Sequence, residues 1–189
     1  MSRRRLLVLA LAFEGAVFLL ALAAAASTGT SLGGRARVGP TAALAGLLAG
    51  GALAGLALAA LRVRWGPLAR LARVVREMSR RFFQDATIVD LVVISALAGV
   101  AEEALFRGAI QTAVSETWGP TAGIAAGALV FGLAHAVTAA YAVAAGLIGV
   151  VLGILLEATG DLAAPILCHA LYDLVVLWFL RRNSLVQST

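Results

Sequence analysis

Residues 87–107 read Thr-Ile-Val-Asp-Leu-Val-Val-Ile-Ser-Ala-Leu-Ala-Gly-Val-Ala-Glu-Glu-Ala-Leu-Phe-Arg. The run is apolar enough to cross a membrane as a helix, yet it closes on two carboxylates and a guanidinium. An ionisable group near the centre of a membrane helix costs at least ~2.5 kcal/mol on insertion, so Glu102, Glu103 and Arg107 together call for a reason. On a helix, Glu103 and Arg107 stand at i and i+4, where their side chains meet and neutralise each other. Glu102 points about 100° away and is free to face a different cavity. There, burial and a neighbouring carboxylate suit it to general-base work. One pair is structural, and one acid is left for chemistry.

The rest of the chain supplies the same solvent. Of its 189 residues 61% are hydrophobic and 13% charged, with a mean hydropathy of +0.96, which leaves too little polar surface for a soluble domain. Apolar stretches of about 18 to 22 residues recur, each long enough for a hydrocarbon core of roughly 30 Å. Spans are expected at 6–26, 41–61, from Thr87 through Arg107, 120–138, 141–157 and 162–180, the last stopped by Arg181-Arg182. The expected fold is all-α: one polytopic bundle over 1–189, with about six spans and one amphipathic interfacial helix. The first run also fits a cleaved signal peptide by its basic start and small residues near Ala26, but its length and Glu14 favour a retained span. Gly46 and Gly50, then Gly51 and Gly55, predict close helix approach in the second span.

All fifteen basic residues are arginine and the formal charge is +5. Their placement argues for a membrane rather than a nucleic acid. Three arginines precede the first span, seven separate the second from the third and two follow the sixth, against two on the other side. That asymmetry puts both termini in the cytoplasm. Within 62–84, Trp65, Leu68, Leu71, Val75, Met78 and Phe82 recur at helical spacing opposite Arg70, Arg73, Arg76 and Arg80. Segment 62–81 therefore reads as a surface helix, either a site for anionic lipids or a plain basic connector. The lone Cys168 excludes an intrachain disulfide and projects about 100° from His169, against a Cys-His nucleophile.

Two further motifs carry buried polar groups: Phe131-Gly132-Leu133-Ala134-His135 and His169-Ala170-Leu171-Tyr172-Asp173, which hold the chain's two histidines. His169 and Asp173 sit at i and i+4, so the carboxylate can orient one imidazole nitrogen and leave the other for substrate or water. His135, on a different helix, completes the set. Water between Glu102 and His135 could attack a peptide carbonyl while His169 stabilises the oxyanion. Phe131 and Phe106 read as packing residues.

With these motifs in order, the chain resembles the CPBP family, the CaaX proteases and bacteriocin-processing enzymes also called Abi proteins. The likeness runs from about 95 to 178. It includes Glu-Glu-Ala-Leu-Phe-Arg-Gly, Phe-Gly-Leu-Ala-His, the glycine-rich helix from Gly146 to Gly153, and the stretch from Glu157 to Asp173. The resemblance implies a helical membrane endopeptidase with a catalytic core at about 86–180 behind a variable part at about 1–85. It implies Glu102 as the water-activating residue, His135 as its partner and His169 at the oxyanion. Members often carry asparagine where this chain has Asp173; a carboxylate donates only when protonated, which favours orienting His169 over direct oxyanion contact.

Glu102, His135 and His169 could instead supply the three protein ligands of a catalytic zinc. No His-Glu-x-x-His is present, and Arg107 beside the glutamate pair would oppose a cation, so no cofactor is favoured. The expected partner is a membrane protein or peptide substrate within the bilayer. Two other classes remain open: a non-catalytic scaffold or immunity-type regulator, and a proton-coupled carrier built on the same acids. The lysine-free, Ala- and Arg-rich composition suggests a bacterial inner membrane.

Overall fold

The computed structural model describes residues 2–186, which are helical with no strand among them. In chain order the helices are α1 (Arg3–Thr28), a short α2 (Leu32–Arg35), α3 (Pro40–Arg62), α4 (Gly66–Phe83) and α5 (Ile88–Glu103). A π-helical segment, Ala104–Gln111, leads into α6 (Thr112–Trp118), then α7 (Pro120–Ala134), α8 (Ala139–Thr159) and α9 (Ala163–Val186). The chain ends at Met1 and 187–189, for which a cytoplasmic position is expected, lie outside the described residues.

Among the described residues, four helices are long and apolar enough to cross a membrane: α1, α3, α8 and the Ala163–Asn183 part of α9. The sequence predicts about six. The difference lies in the middle of the chain, where α5 has 16 residues before the π segment and α7 has 15. α7 ends at Ala134 rather than 138, because His135 leaves helical geometry (φ −99°, ψ 18°) and Thr138 caps α8, its hydroxyl accepting from the Tyr141 N–H. α9 does not stop at Arg181-Arg182 but continues to Val186. Arginine is a good helix former, so the pair ends the apolar stretch and not the helix.

The helix ends follow from local chemistry. Proline occupies the first turn of α3, α4 and α7, where its missing N–H costs nothing. Thr87 and Asp90 form a reciprocal cap on α5, and Arg3 grips the Asp90 carboxylate with two bonds of 2.6 and 2.9 Å, tying the start of α1 to the start of α5. Near the opposite ends, Asp161 accepts from the backbone N–H groups of Arg37, Gly39 and Ala163 at 2.9–3.1 Å, joining the α2–α3 and α8–α9 loops.

Close packing is selective. A Cβ on Gly46 or Gly50 would strike the α9 backbone at Ala164 or Cys168, so α3 and α9 meet at these glycines. Gly51 and Gly55 have nothing within 4 Å, so the second expected pair is not a contact. The seam between the π segment and α8 is polar. Arg107 donates to the Gly149 carbonyl at 3.1 Å, and Gln111, one turn on, donates to the Gly153 carbonyl at 3.0 Å. Gln111 and Ser115 both also donate to Glu157 at 3.0 Å.

Candidate active site

The π segment begins one residue after the glutamate pair. A π turn closes its bonds from i to i+5 and commonly marks functional sites. Here it carries Arg107 and Gln111 toward α8, both fully buried, and the Thr112 hydroxyl donates to the Arg107 carbonyl at 2.9 Å. Arg107 still reaches Glu103, as the i, i+4 spacing predicts, with Nη1 2.9 Å from Oε1. Its guanidinium lies 4.5 Å from the centre of the Phe131 ring, so Phe131 shields a charge that has no access to water. Gly149 permits this approach: a Cβ there would meet the Arg107 side chain and the Ala128 backbone.

The same Glu103 oxygen takes a second donor. His169 Nδ1 is 2.7 Å from Glu103 Oε1, while His169 Nε2 is 3.6 Å from Asp173 Oδ2, beyond a good hydrogen bond. The spacing argument made Asp173 the orienter of His169. In the structure Glu103 on α5 holds the ring, and Asp173 stands at its other nitrogen. An i, i+4 rule sees only partners on one helix, and this one comes from another.

Glu102 faces the other way, as its helical offset predicts. Its Oε2 lies 3.5 Å from His135 Nε2, is buried and has no hydrogen-bond partner among the described residues. His135 Nδ1 is 2.8 Å from the Phe131 carbonyl, which can only accept. The Nδ1 proton is thereby assigned, and Nε2 faces Glu102. Phe131 packs on His135 at 4.4 Å and on His169 at 5.9 Å between ring centres, so one phenyl ring sets the separation of the two histidines.

Glu102 on α5, His135 at the end of α7, and His169 and Asp173 on α9 thus come together, with Phe131 between the two histidines. Three participants were not singled out from the sequence. Glu14 on α1 is buried, its Oε2 has no hydrogen-bond partner, and it interacts electrostatically with Glu102, His169 and Asp173. Its interruption of the first span was the available signal. Tyr172 stacks on His169 at 5.6 Å and Tyr141 on His135 at 6.5 Å; tyrosine in an apolar helix carries no positional signal of its own.

The site opens into a cavity of about 440 Å³ whose polar end is formed by His135, Tyr141, Tyr172 and Asp173. The remaining walls are almost wholly apolar and come from α3, α4, α8 and α9, with Leu61 and Ala72 at the α3–α4 corner. Among the described residues, no three His, Cys, Asp or Glu side chains are grouped as a metal site. The two histidines of the conditional zinc set engage the protein through Nδ1, His169 with Glu103 and His135 with a carbonyl, which leaves each Nε2 for another partner.

Residues 84–175 match the family model described as type II CAAX prenyl endopeptidase Rce1-like. All the residues gathered at the site except Glu14 fall inside that segment. No curated protein and no solved structure matches the chain.

Proposed function

Because the chain carries an Rce1-like domain of the CPBP family of CAAX-type intramembrane proteases, we propose that it hydrolyses a peptide bond of a membrane-associated protein or peptide with a water activated by Glu102 and His135. The observation that carries this reading is the unpartnered, buried Glu102 oxygen 3.5 Å from an imidazole nitrogen at the polar end of an apolar cavity. A water about 2.8 Å from each closes a triangle with that edge. Glu102 takes the water proton as the oxygen adds to the carbonyl carbon. The C–N bond then breaks and the proton passes to the departing amine. His169 with a proton on each nitrogen, braced at Nδ1 by Glu103, offers Nε2–H to the oxyanion, and Asp173 lies beside that donor.

Glu103 and Arg107 form the frame, and Phe131 the spacer. The reading is metal-free: Arg107 supplies the positive charge next to the glutamate pair and would oppose a second cation there. The proposal includes one membrane domain of about six spans in a bacterial inner membrane, both termini cytoplasmic, with 62–81 lying on the cytoplasmic surface against anionic lipid. α5 with its π and α6 continuation, and α7, are the two additional crossings. The apolar cavity suits an extended hydrophobic substrate segment.

Comparison of membrane peptidomes from cells expressing the wild-type chain, Glu102→Ala or His135→Ala tests this. New N-termini that vanish in both variants, at unchanged membrane levels of the protein, are expected. Unchanged peptidomes with retained cellular activity would favour a scaffold, and substrate-driven proton flux in proteoliposomes a carrier.

A further inference from the structure

At the corner where α3 ends and α4 begins, a second cavity of about 370 Å³ is lined by Arg62, Arg64, Arg73 and Arg76, with Leu61, Val63, Ala69 and Ala72 as its only other walls. Four guanidinium groups around one concavity repel each other unless an anion joins them. None of the four has a carboxylate within ion-pair distance among the described residues, whereas Arg3, Arg35 and Arg107 each have one. Arg76 spends one N–H on the Leu61 carbonyl, at 2.6 Å, and a guanidinium carries five. Next to these lining residues in the chain, Trp65 and Leu68 are both exposed, and tryptophan is a residue type that settles at a membrane–water boundary.

From this we infer a binding site for a phosphate group, presented by an anionic phospholipid whose chains lie beside Trp65 and Leu68. The planar fork of arginine matches phosphate oxygens in pairs, which a lysine patch would not do. The site is back to back with the apolar cavity: Leu61 and Ala72 line both. A headgroup held here therefore bears on a wall of the substrate cavity from outside and fixes α4 against the end of α3. The inference rests on 62–83 lying at the membrane surface and not on the peptidase reading.

The test uses the purified full-length chain in detergent micelles, with phosphatidylglycerol, phosphatidylcholine or inorganic phosphate as ligand and native mass spectrometry as readout, so that it is independent of cleavage. Phosphatidylglycerol is expected to be retained and phosphatidylcholine not. Arg64→Gln with Arg73→Gln should weaken retention by about 10-fold or more. Arg70→Gln with Arg80→Gln removes the same amount of charge from α4 outside the cavity and should leave retention near the wild-type level. Equal loss in the two double variants, or no preference for phosphatidylglycerol, would overturn the site. Full displacement by millimolar inorganic phosphate would overturn the lipid assignment in favour of a soluble anion.

Discussion

Glu102 and Glu103 are neighbours on one helix and differ in nearly everything that matters chemically. Glu103 has no exposed surface, and one of its oxygens binds both Arg107 and His169 within 2.9 Å. Each carboxylate has a buried Oε2 without a donor, but Glu102 keeps about a tenth of its side chain exposed and has only His135 Nε2 beside it, at 3.5 Å. A closed carboxylate has its charge already spent on the protein, so it holds shape. An open one pays for its burial unless something else arrives, and beside His135, which lines the cavity, that something is water or substrate. The same contrast separates Asp161, closed by backbone donors, from Glu14, left open against the site.

The contrast is broken most directly by Glu102→Gln. The amide keeps the volume but cannot take a proton, so kcat on a cleaved substrate should fall by about 10⁴-fold with the melting temperature within ~2 °C of wild type. A variant retaining a tenth of its activity would remove Glu102 from the reaction. Arg107→Met tests the closed side. It leaves Glu103 without its arginine counter-charge in a dry interior, and a loss of about 3–5 kcal/mol of stability is expected, read by thermal unfolding in micelles. A melting temperature near wild type would show that the network is not the frame it is taken to be.

Sequence reasoning captured the helical membrane class, the pairing of Glu103 with Arg107 and the different facing of Glu102. Those features depend on periodicity, burial cost and residue type, which a single chain displays. What it missed depends on helices meeting. The π segment arises where Arg107 and Gln111 both turn toward the carbonyls of Gly149 and Gly153, a match across two helices that no one-helix rule contains. Glu103 as the holder of His169 is likewise a cross-helix fact. The glycines of α3 read alike in sequence, yet only Gly46 and Gly50 meet a neighbour. Two of the six expected spans, α5 and α7, are shorter as regular α-helices than the sequence predicts, because backbone geometry changes at 104–111 and 135–138.

Glu14→Gln asks whether the open class extends beyond the matched segment. Glu14 lies on α1, outside residues 84–175, and its interaction with His169 is attractive. Removing that charge should lower kcat by about 10-fold, within the range of coupling between groups in one network, and leave KM and the melting temperature unchanged. An unaltered kcat would confine the chemistry to the matched segment and make Glu14 a packing residue.

The smallest effect is expected at Asp161, the closed carboxylate outside the membrane, and it carries a pH signature. Burial pushes its carboxyl up, but the N–H donors of Gly39, Ala163, Arg37 and Val38 outweigh burial and hold it below the ordinary carboxylate value. A carboxyl whose folded value is depressed contributes stability that is fully present above its unfolded value, near 4, and is lost as pH falls through the folded value. Asp161→Asn replaces one accepting oxygen by an amide that cannot accept, so about 1 kcal/mol should be lost at neutral pH. The gap in unfolding free energy between wild type and variant should then close as pH drops below about 4. A gap that persists unchanged into stronger acid would mean that shape rather than charge closes this loop, and the distinction between closed and open carboxylates would then belong to the membrane interior alone.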